Sequence, residues 1–559
     1  MQSTRKPMPV GVEDFKRLVT QGYCFIDKTR FIKDYIDAQG VVTLITRPRR
    51  FGKTLTLSML QYFFEAEQGE ENRQLFSGLD IEGAGERYMQ EQGTRQVVFL
   101  TLKEARSRSF SGMMEKLAEI LRQLYDNFRY LQDSEALSSQ DREYFTSILN
   151  SACPTEKMSF ALLNLMKNLE KHHAHKPMLL LDEYDAPILF AWEKGYYEEC
   201  IDFMRGFLSA ALKTNPALGS AVLTGVTRIS KESIFSGLNN LNVCSVLREK
   251  YSDAFGFTQE EAARLMEDCG AKDKLPELRK WYDGYRFGSA EIYNPWSVIQ
   301  YVGNGCRFDA YWINVSGNSI LKVLLERVDQ ERRKELEQLV HGESVDAIVD
   351  EGIIYPEIRQ NRNALCMMLL TTGYLKATKH WQDARQRWRC QLRIPNREVC
   401  MAYENEILIQ IAGAGREILL DDMLDAMAAG DVEGFQDRLS TILRDMASFH
   451  DTAHPESFYH GLMLGLSVLM EGEYRVASNK ESGYGRFDIA FFPLREGSPG
   501  VILELKAAKS EEEMERLAKE GLRQIEEKAY IAELTRQGVA EIWKYSVAFW
   551  GKRIWMERA

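Results

Sequence analysis

A run of β-forming residues, Val41-Val-Thr-Leu-Ile45, leads through Arg47-Pro-Arg-Arg-Phe-Gly52 into Lys53-Thr54 and a helix-forming stretch. This strand, loop, helix order constrains the fold more than any other feature, because unbonded N–H groups at a helix start attract anions. It predicts a phosphate-binding loop at one edge of a parallel sheet. The backbone after Gly52 then cradles phosphates, Lys53 reaches the β- and γ-oxygens, and Thr54 ligates Mg²⁺. Arg47 stands where such loops usually open with glycine, and Arg49 and Arg50 stand where small residues are usual. All three are expected to add positive charge around a nucleotide.

A second apolar strand, Met178-Leu-Leu-Leu-Asp182, ends in a cluster of acids. Asp182 is expected to hold the Mg²⁺ and Glu183 to polarise the attacking water. The plainer alternative is an acidic turn after a buried strand. A third strand, Gly219-Ser-Ala-Val-Leu-Thr224, ends at the same edge. There Thr224 is expected to sense the γ-phosphate and Arg228 to neutralise it, with an ordinary loop arginine as the equal alternative. Helical segments such as Gly112–Leu121 alternate with these strands, which predicts an open parallel sheet with its ligand at the strands' carboxyl ends.

Near the C-terminus the pattern changes. Phe487-Asp488-Ile-Ala-Phe-Phe492 follows a hairpin-like segment, Gly497-Ser-Pro-Gly500 makes a turn, and Val501-Ile-Leu-Glu504-Leu-Lys506 forms the next strand. Alternation along that strand puts Glu504 and Lys506 on one face and Leu503 and Leu505 on the other. If the two strands pair, Asp488 and Glu504 converge on a hard cation beside an amine, an arrangement suited to cutting a phosphodiester. An exposed ion pair of no function is the alternative. Ser510-Glu-Glu-Glu513 then reads as a capped helix start.

These C-terminal residues resemble the PD-(D/E)XK nuclease superfamily from about Phe449 onward. The resemblance implies that Asp488 and Glu504 hold Mg²⁺, with Mn²⁺ as a substitute, and that Lys506 assists the water. Gln524 and Tyr530 look like the glutamine and tyrosine that RecB-related branches place beside the metal, and Glu456 like an acid on the first core helix. The rest of the chain resembles the AAA-ATPase-like family often fused to such a nuclease. That resemblance rests on Pro9–Phe15, Tyr23–Thr29, Arg47–Thr54, Leu181–Pro187, Ser236–Leu241, Trp281–Phe287 and Tyr293–Ser297. In that family the arginine-proline-arginine-arginine loop is the usual form.

The expected architecture is therefore α/β multidomain. A P-loop NTPase parallel sheet spans 1–257, an all-helical lid 258–372, and a hairpin with helical spacer 373–448. A restriction-endonuclease-like α/β/α domain spans 449–559. With 45% hydrophobic residues the chain has enough material for packed cores. Nine cysteines without a C-x-x-C pair exclude a zinc ribbon. No run of about twenty apolar residues occurs and the first residues lack an apolar signal core, which predicts a cytoplasmic protein without a membrane partner.

The expected activity is ATP binding and hydrolysis coupled to Mg²⁺-dependent cleavage of nucleic acid, with DNA favoured and a homo-oligomer possible. The alternative is a nucleotide-dependent switch or assembly protein whose nuclease-like domain only binds nucleic acid or a protein. A net charge of −11 demands that any nucleic-acid footprint be local. Three basic stretches offer one: Arg47–Arg50, Lys103–Arg108, and Trp381–Cys390. The last reads first as a β-hairpin with a solvated face.

Overall fold

The computed structural model describes residues 6–213, 215–229, 241–312, 342–352, 355–359, 361–403, 417–445, 473–478, 481–482, 485–495 and 497–559, together with 335–336, 338–340, 459 and 463. The chain divides into two compact units, Met1–Ile320 with Ser344–Val399 and Leu321–Glu343 with Cys400–Ala559.

The first unit is built on five parallel strands, β1 (Val42–Thr46), β2 (Val97–Thr101), β3 (Met178–Asp182), β4 (Ser220–Gly225) and β5 (Leu241–Cys244). Their order is β2-β3-β4-β1-β5, with Leu44 opposite both Leu223 and Val243. Every residue of β1, β3 and β4 is buried, as strands covered on both faces must be, and this explains their continuous apolar runs. The chain runs from β1 to β2 at one edge and from β4 past β1 to β5 at the other, so the connections diverge at the neighbouring β4 and β1, where a crevice is expected beyond the carboxyl ends. The loops after β1 and β3 meet there.

After the sheet, Thr258 caps the Gln259–Asp268 helix: its hydroxyl accepts from Glu261 N at 3.3 Å, and Glu261 Oε2 accepts from Thr258 N at 2.8 Å. The capping box expected there is present. An all-helical lid is not. Strands β6 (Tyr285–Phe287) and β7 (Ala290–Ile292) form a hairpin whose turn depends on Gly288 at a φ of 54°. Strand β8 (Val345–Ile348) then joins β9 (Lys376–Gln382) and β10 (Trp388–Arg393) in a sheet of order β8-β10-β9. The β9–β10 hairpin was legible in the sequence, but its third strand lies some thirty positions upstream of β9, beyond the reach of local pattern.

One buried acid braces this region. Glu398 is fully buried, accepting from Trp312 N at 2.6 Å and Ser297 Oγ at 2.8 Å, and burial pushes its carboxyl up to about 8. The folded unit therefore holds a proton that the unfolded chain releases above about pH 4.5. Its stabilising contribution is complete below that value and is lost as pH rises toward 8. Glu398→Gln keeps the acceptor oxygen without titrating. Urea unfolding from pH 5 to 9 should show this variant gaining on the parent with rising pH, by on the order of 5 kcal/mol at the alkaline end.

The second unit is a mixed sheet. Besides the two-residue strands β12 (Glu481–Ser482) and β13 (Gly485–Arg486), it contains β11 (Tyr474–Ser478), β14 (Ile489–Pro493), β15 (Gly500–Ala507), β16 (Ile542–Trp550) and β17 (Arg553–Arg558), ordered β11-β14-β15-β16-β17. Only β15 and β16 run parallel. One face carries Phe491, Leu503, Leu505 and Val547 against the Glu417–Ala429 and Val432–Asp445 helices. The other carries Ala490 and Ile502 against Ile525 of the Met514–Glu527 helix. The α/β/α layering is the one expected, but one layer comes from the Glu417–Ala429 and Val432–Asp445 helices, within the stretch 373–448 expected to be a separate spacer. The helix start differs in detail: a 3₁₀ turn, Glu511–Glu513, precedes it, and Ser510 does not cap it through its side chain.

Candidate active sites

The first site lies beyond the carboxyl end of β1. The Lys53–Phe64 helix begins after Gly52, whose φ of 80° suits only glycine, so the first helical N–H groups open onto the crevice. Arg50 and Glu183 also sit at positive φ, 69° and 50°, a strained state for long side chains, and both line the same cleft. Lys53 is buried, and its Nζ donates to the carbonyls of Arg47 at 3.1 Å and Pro48 at 2.8 Å. Burial lowers its pKa, opposed by the nearby Glu183, Asp182 and Asp185.

Asp182 ends β3 and is 1% exposed. It receives the hydroxyl of Thr54 on Oδ2 at 2.8 Å and that of Thr224 on Oδ1 at 2.5 Å. Burial raises its carboxyl, and the two hydroxyls pull the other way. A carboxylate beside a threonine hydroxyl is a hard-oxygen donor set that fits Mg²⁺, which takes few protein ligands and completes its shell with water and phosphate.

Three expected nucleotide ligands, Arg47, Thr224 and Arg228, are not on the cleft wall. Arg47 is fully buried, with Nη1 donating to the carbonyls of Thr46 and Cys244 and Nη2 to that of Tyr251. Its guanidinium lies 4.7 Å from the Phe287 ring centre, and burial pulls its pKa down to about 10. It braces the loop from behind instead of facing phosphate. Thr224 is likewise fully buried behind Asp182, so it orients that carboxylate. Arg228 follows the turn after β4, is half-buried, and is not on the cleft wall.

The cleft has a volume of about 310 Å³ and two chemically distinct sets of lining residues. Arg49, Arg50, Lys53, Lys103, Arg106 and Glu183 are charged. Ile26, Phe257, Leu265, Trp296 and Ile299 are apolar. Arg50 stacks on Trp296 at 4.2 Å and joins the two.

The second site lies on β15. Lys506 Nζ donates to Glu504 Oε1 at 2.8 Å and to Gln524 Oε1 at 2.7 Å, while Gln524 Nε2 donates to the Tyr530 hydroxyl at 3.0 Å. Asp488, at the entrance to β14, accepts from Leu505 N at 2.7 Å, which turns it toward β15. Gly521 brings Gln524 close: a Cβ there would stand 2.1 Å from Ser546 Oγ and 3.3 Å from Glu504 Cγ, so only glycine lets the helix approach this near. Glu504 is 2% exposed. Asp488 and Glu504 supply hard oxygens that fit a divalent cation. Among the described residues no group of three His, Cys, Asp or Glu side chains gathers, and Glu456 lies outside those residues.

Residues 9–235 match the family described as predicted AAA-ATPase, and residues 454–559 match the PD-(D/E)XK nuclease superfamily. The chain thus carries an AAA-ATPase-like match in its N-terminal part and a PD-(D/E)XK match at its C-terminal end, with residues 236–453 in neither. An uncharacterized protein in the vnfD 5′ region of Azotobacter chroococcum mcd 1 is 26% identical over 494 residues, covering 84% of this chain and 85% of its own. No helix among the described residues is long and apolar enough to cross a membrane.

Within the AAA-ATPase-like domain, sequence reasoning missed Asp185. It is buried, and its Oδ2 accepts from Val226 N, Thr227 N and Thr227 Oγ1 at 2.7–3.0 Å. Thr227 also bonds the Tyr355 hydroxyl at 2.7 Å, so the turn after β4 is tied to a residue 128 positions away. A run of three acids within four residues signalled some second task, but not which.

Proposed function

We propose that the chain is a nucleotide-dependent nuclease. In this reading the AAA-ATPase-like domain binds and hydrolyses ATP, the C-terminal domain cuts nucleic acid, DNA by preference, and nucleotide state gates the cut. The observation that carries the nuclease half is Lys506, held between a buried carboxylate on its own strand and Gln524 on the facing helix. A merely structural pair does not need a third, neutral partner that is itself oriented by a tyrosine.

Mg²⁺ or Mn²⁺ held by Asp488 and Glu504 would neutralise charge on the scissile phosphate and acidify the attacking water. The chain's own residues do the remainder. Lys506 holds or takes a proton at the water, Gln524 fixes the amine's direction, and the Leu505 N–H keeps Asp488 aimed at the strand. In the other domain Lys53 would offset negative charge on the β- and γ-phosphates, Asp182 and Thr54 would hold Mg²⁺, and Glu183 would orient the water. Arg49 and Arg50 line the same cleft and would add positive charge there. The chain is read as forming a homo-oligomer in the cytoplasm.

The test is incubation of the full chain with plasmid and oligonucleotides, with and without Mg²⁺ or Mn²⁺ and with and without ATP. Cleavage should require the metal, respond to ATP, and disappear in Asp488→Ala. Intact nucleic acid under every condition, with ATP retained, would instead favour the switch or assembly reading.

A further inference from the structure

The outer face of the β8-β10-β9 sheet has no part in either site. Register places Trp381 beside Arg389 and Arg389 beside Ile348, with Lys379, Gln391 and Asp346 forming the next row of the same face. The inner face is different: Val345, Ala347, Cys390 and Leu392 are all buried. Trp381 is 39% exposed on the edge strand.

The charge of this segment is opposite to that of the chain. From Lys376 to Arg393 there are six lysines and arginines and one acid, Asp383, within a protein of net charge −11. That acid offsets one of the six positive charges and also shapes the surface. Asp383 accepts from the backbone N–H groups of Arg385 and Arg387 at 2.9 and 3.0 Å, closing the turn. It also receives Arg387 Nε at 2.9 Å and Arg389 Nε at 3.4 Å, yet those side chains stay 41% and 38% exposed. Two guanidinium planes are thus held in place beside the indole with their outer edges in solvent. Lys379 and Arg385 are exposed next to them.

We propose that this face docks single-stranded nucleic acid, with phosphates on Lys379, Arg385, Arg387 and Arg389 and an unpaired base stacked on Trp381. A duplex hides its base faces and would leave the indole idle. An acidic peptide would use the cations and equally neglect the ring. Base stacking on one aromatic side chain contributes enough to change affinity by roughly tenfold or more, and each phosphate-contacting cation adds about one to the salt slope. The inference rests on the nucleic-acid reading above and adds to it the strandedness of the substrate and the surface that grips it.

The experiment measures fluorescence anisotropy of labelled dT20, U20, a 20-base-pair duplex and poly-glutamate with the full chain in EDTA, where cleavage cannot occur. Single strands should bind best, DNA or RNA according to which of the first two is preferred. Trp381→Ala should weaken that binding about tenfold and Trp381→Phe restore most of it. Lys379→Glu with Arg385→Glu should weaken it further and flatten the salt dependence by about two. Thermal unfolding should not move, since all three side chains are exposed. The proposal is overturned if Trp381→Ala binds like the parent, or if duplex or poly-glutamate binds as tightly as the single strands. Because no metal or cleavage is involved, binding without any later nuclease activity would sink the nuclease reading and leave this one standing.

Discussion

Lys506→Ala is expected to lower phosphodiester cleavage by roughly 10²–10⁴-fold, the range associated with losing a positioned proton-transfer group. The same change should also cost stability. The Glu504 side chain is 3% exposed and Lys506 19%, so truncation takes a cationic partner from a carboxylate that is already out of water. Removing one partner of a buried pair costs about 3 kcal/mol or more, with the partial exposure of Lys506 favouring the lower end. Lys506→Arg separates the two effects. It keeps a charge beside Glu504, so the melting temperature should stay near the parent's, while a guanidinium does not release a proton and does not fit the position between Glu504 and Gln524 in the same way. Single-turnover plasmid nicking and thermal denaturation should be measured together on all three proteins. Full cleavage by Lys506→Ala removes the residue from the chemistry, and full cleavage by Lys506→Arg reduces its role to charge alone.

That site was legible because alternation in a strand is a local rule. Leu503 and Leu505 pack into one core, and Glu504 and Lys506 face the opposite helix, as the pattern required. The phosphate-binding loop was legible for the same reason, since strand, glycine and helix follow one another within a few residues. What local pattern could not supply were distances between segments far apart in the chain. Arg47 looked like a phosphate ligand until Cys244 and Tyr251, some two hundred positions on, supplied carbonyls for its guanidinium. Thr224 looked like a sensor until Asp182 claimed its hydroxyl. Lys103 and Arg106 carried charge without an address, and only the fold brings them to the cleft. The Gly521 contact with Ser546 is of the same kind: the sequence shows a glycine in a helix, and only the strand behind it explains why.

Lys53→Ala is expected to lower ATP hydrolysis by about 10²–10³-fold, comparable with removing one preorganised donor from a charge-stabilising site. The amine is held by the carbonyls of Arg47 and Pro48, within a loop whose conformation Gly52 permits. Phosphate oxygens would replace those carbonyls as acceptors, and a buried amine interacts with them more strongly than an exposed one. Loss of the side chain removes that exchange, so ATP retention on a filter should fall whether or not Mg²⁺ is present. Asp182→Asn should behave differently. Asparagine preserves the size of the side chain and an oxygen for Thr54 or Thr224, but it cannot supply the anionic oxygen that a divalent cation requires. Retention of ATP in EDTA should therefore persist, while Mg²⁺-dependent phosphate release is lost. Unchanged turnover in Lys53→Ala would place hydrolysis outside this cleft altogether. The same variant also tests gating, because a nuclease controlled by nucleotide must cease to respond to ATP when Lys53 is gone, and one that still responds is reading ATP somewhere else.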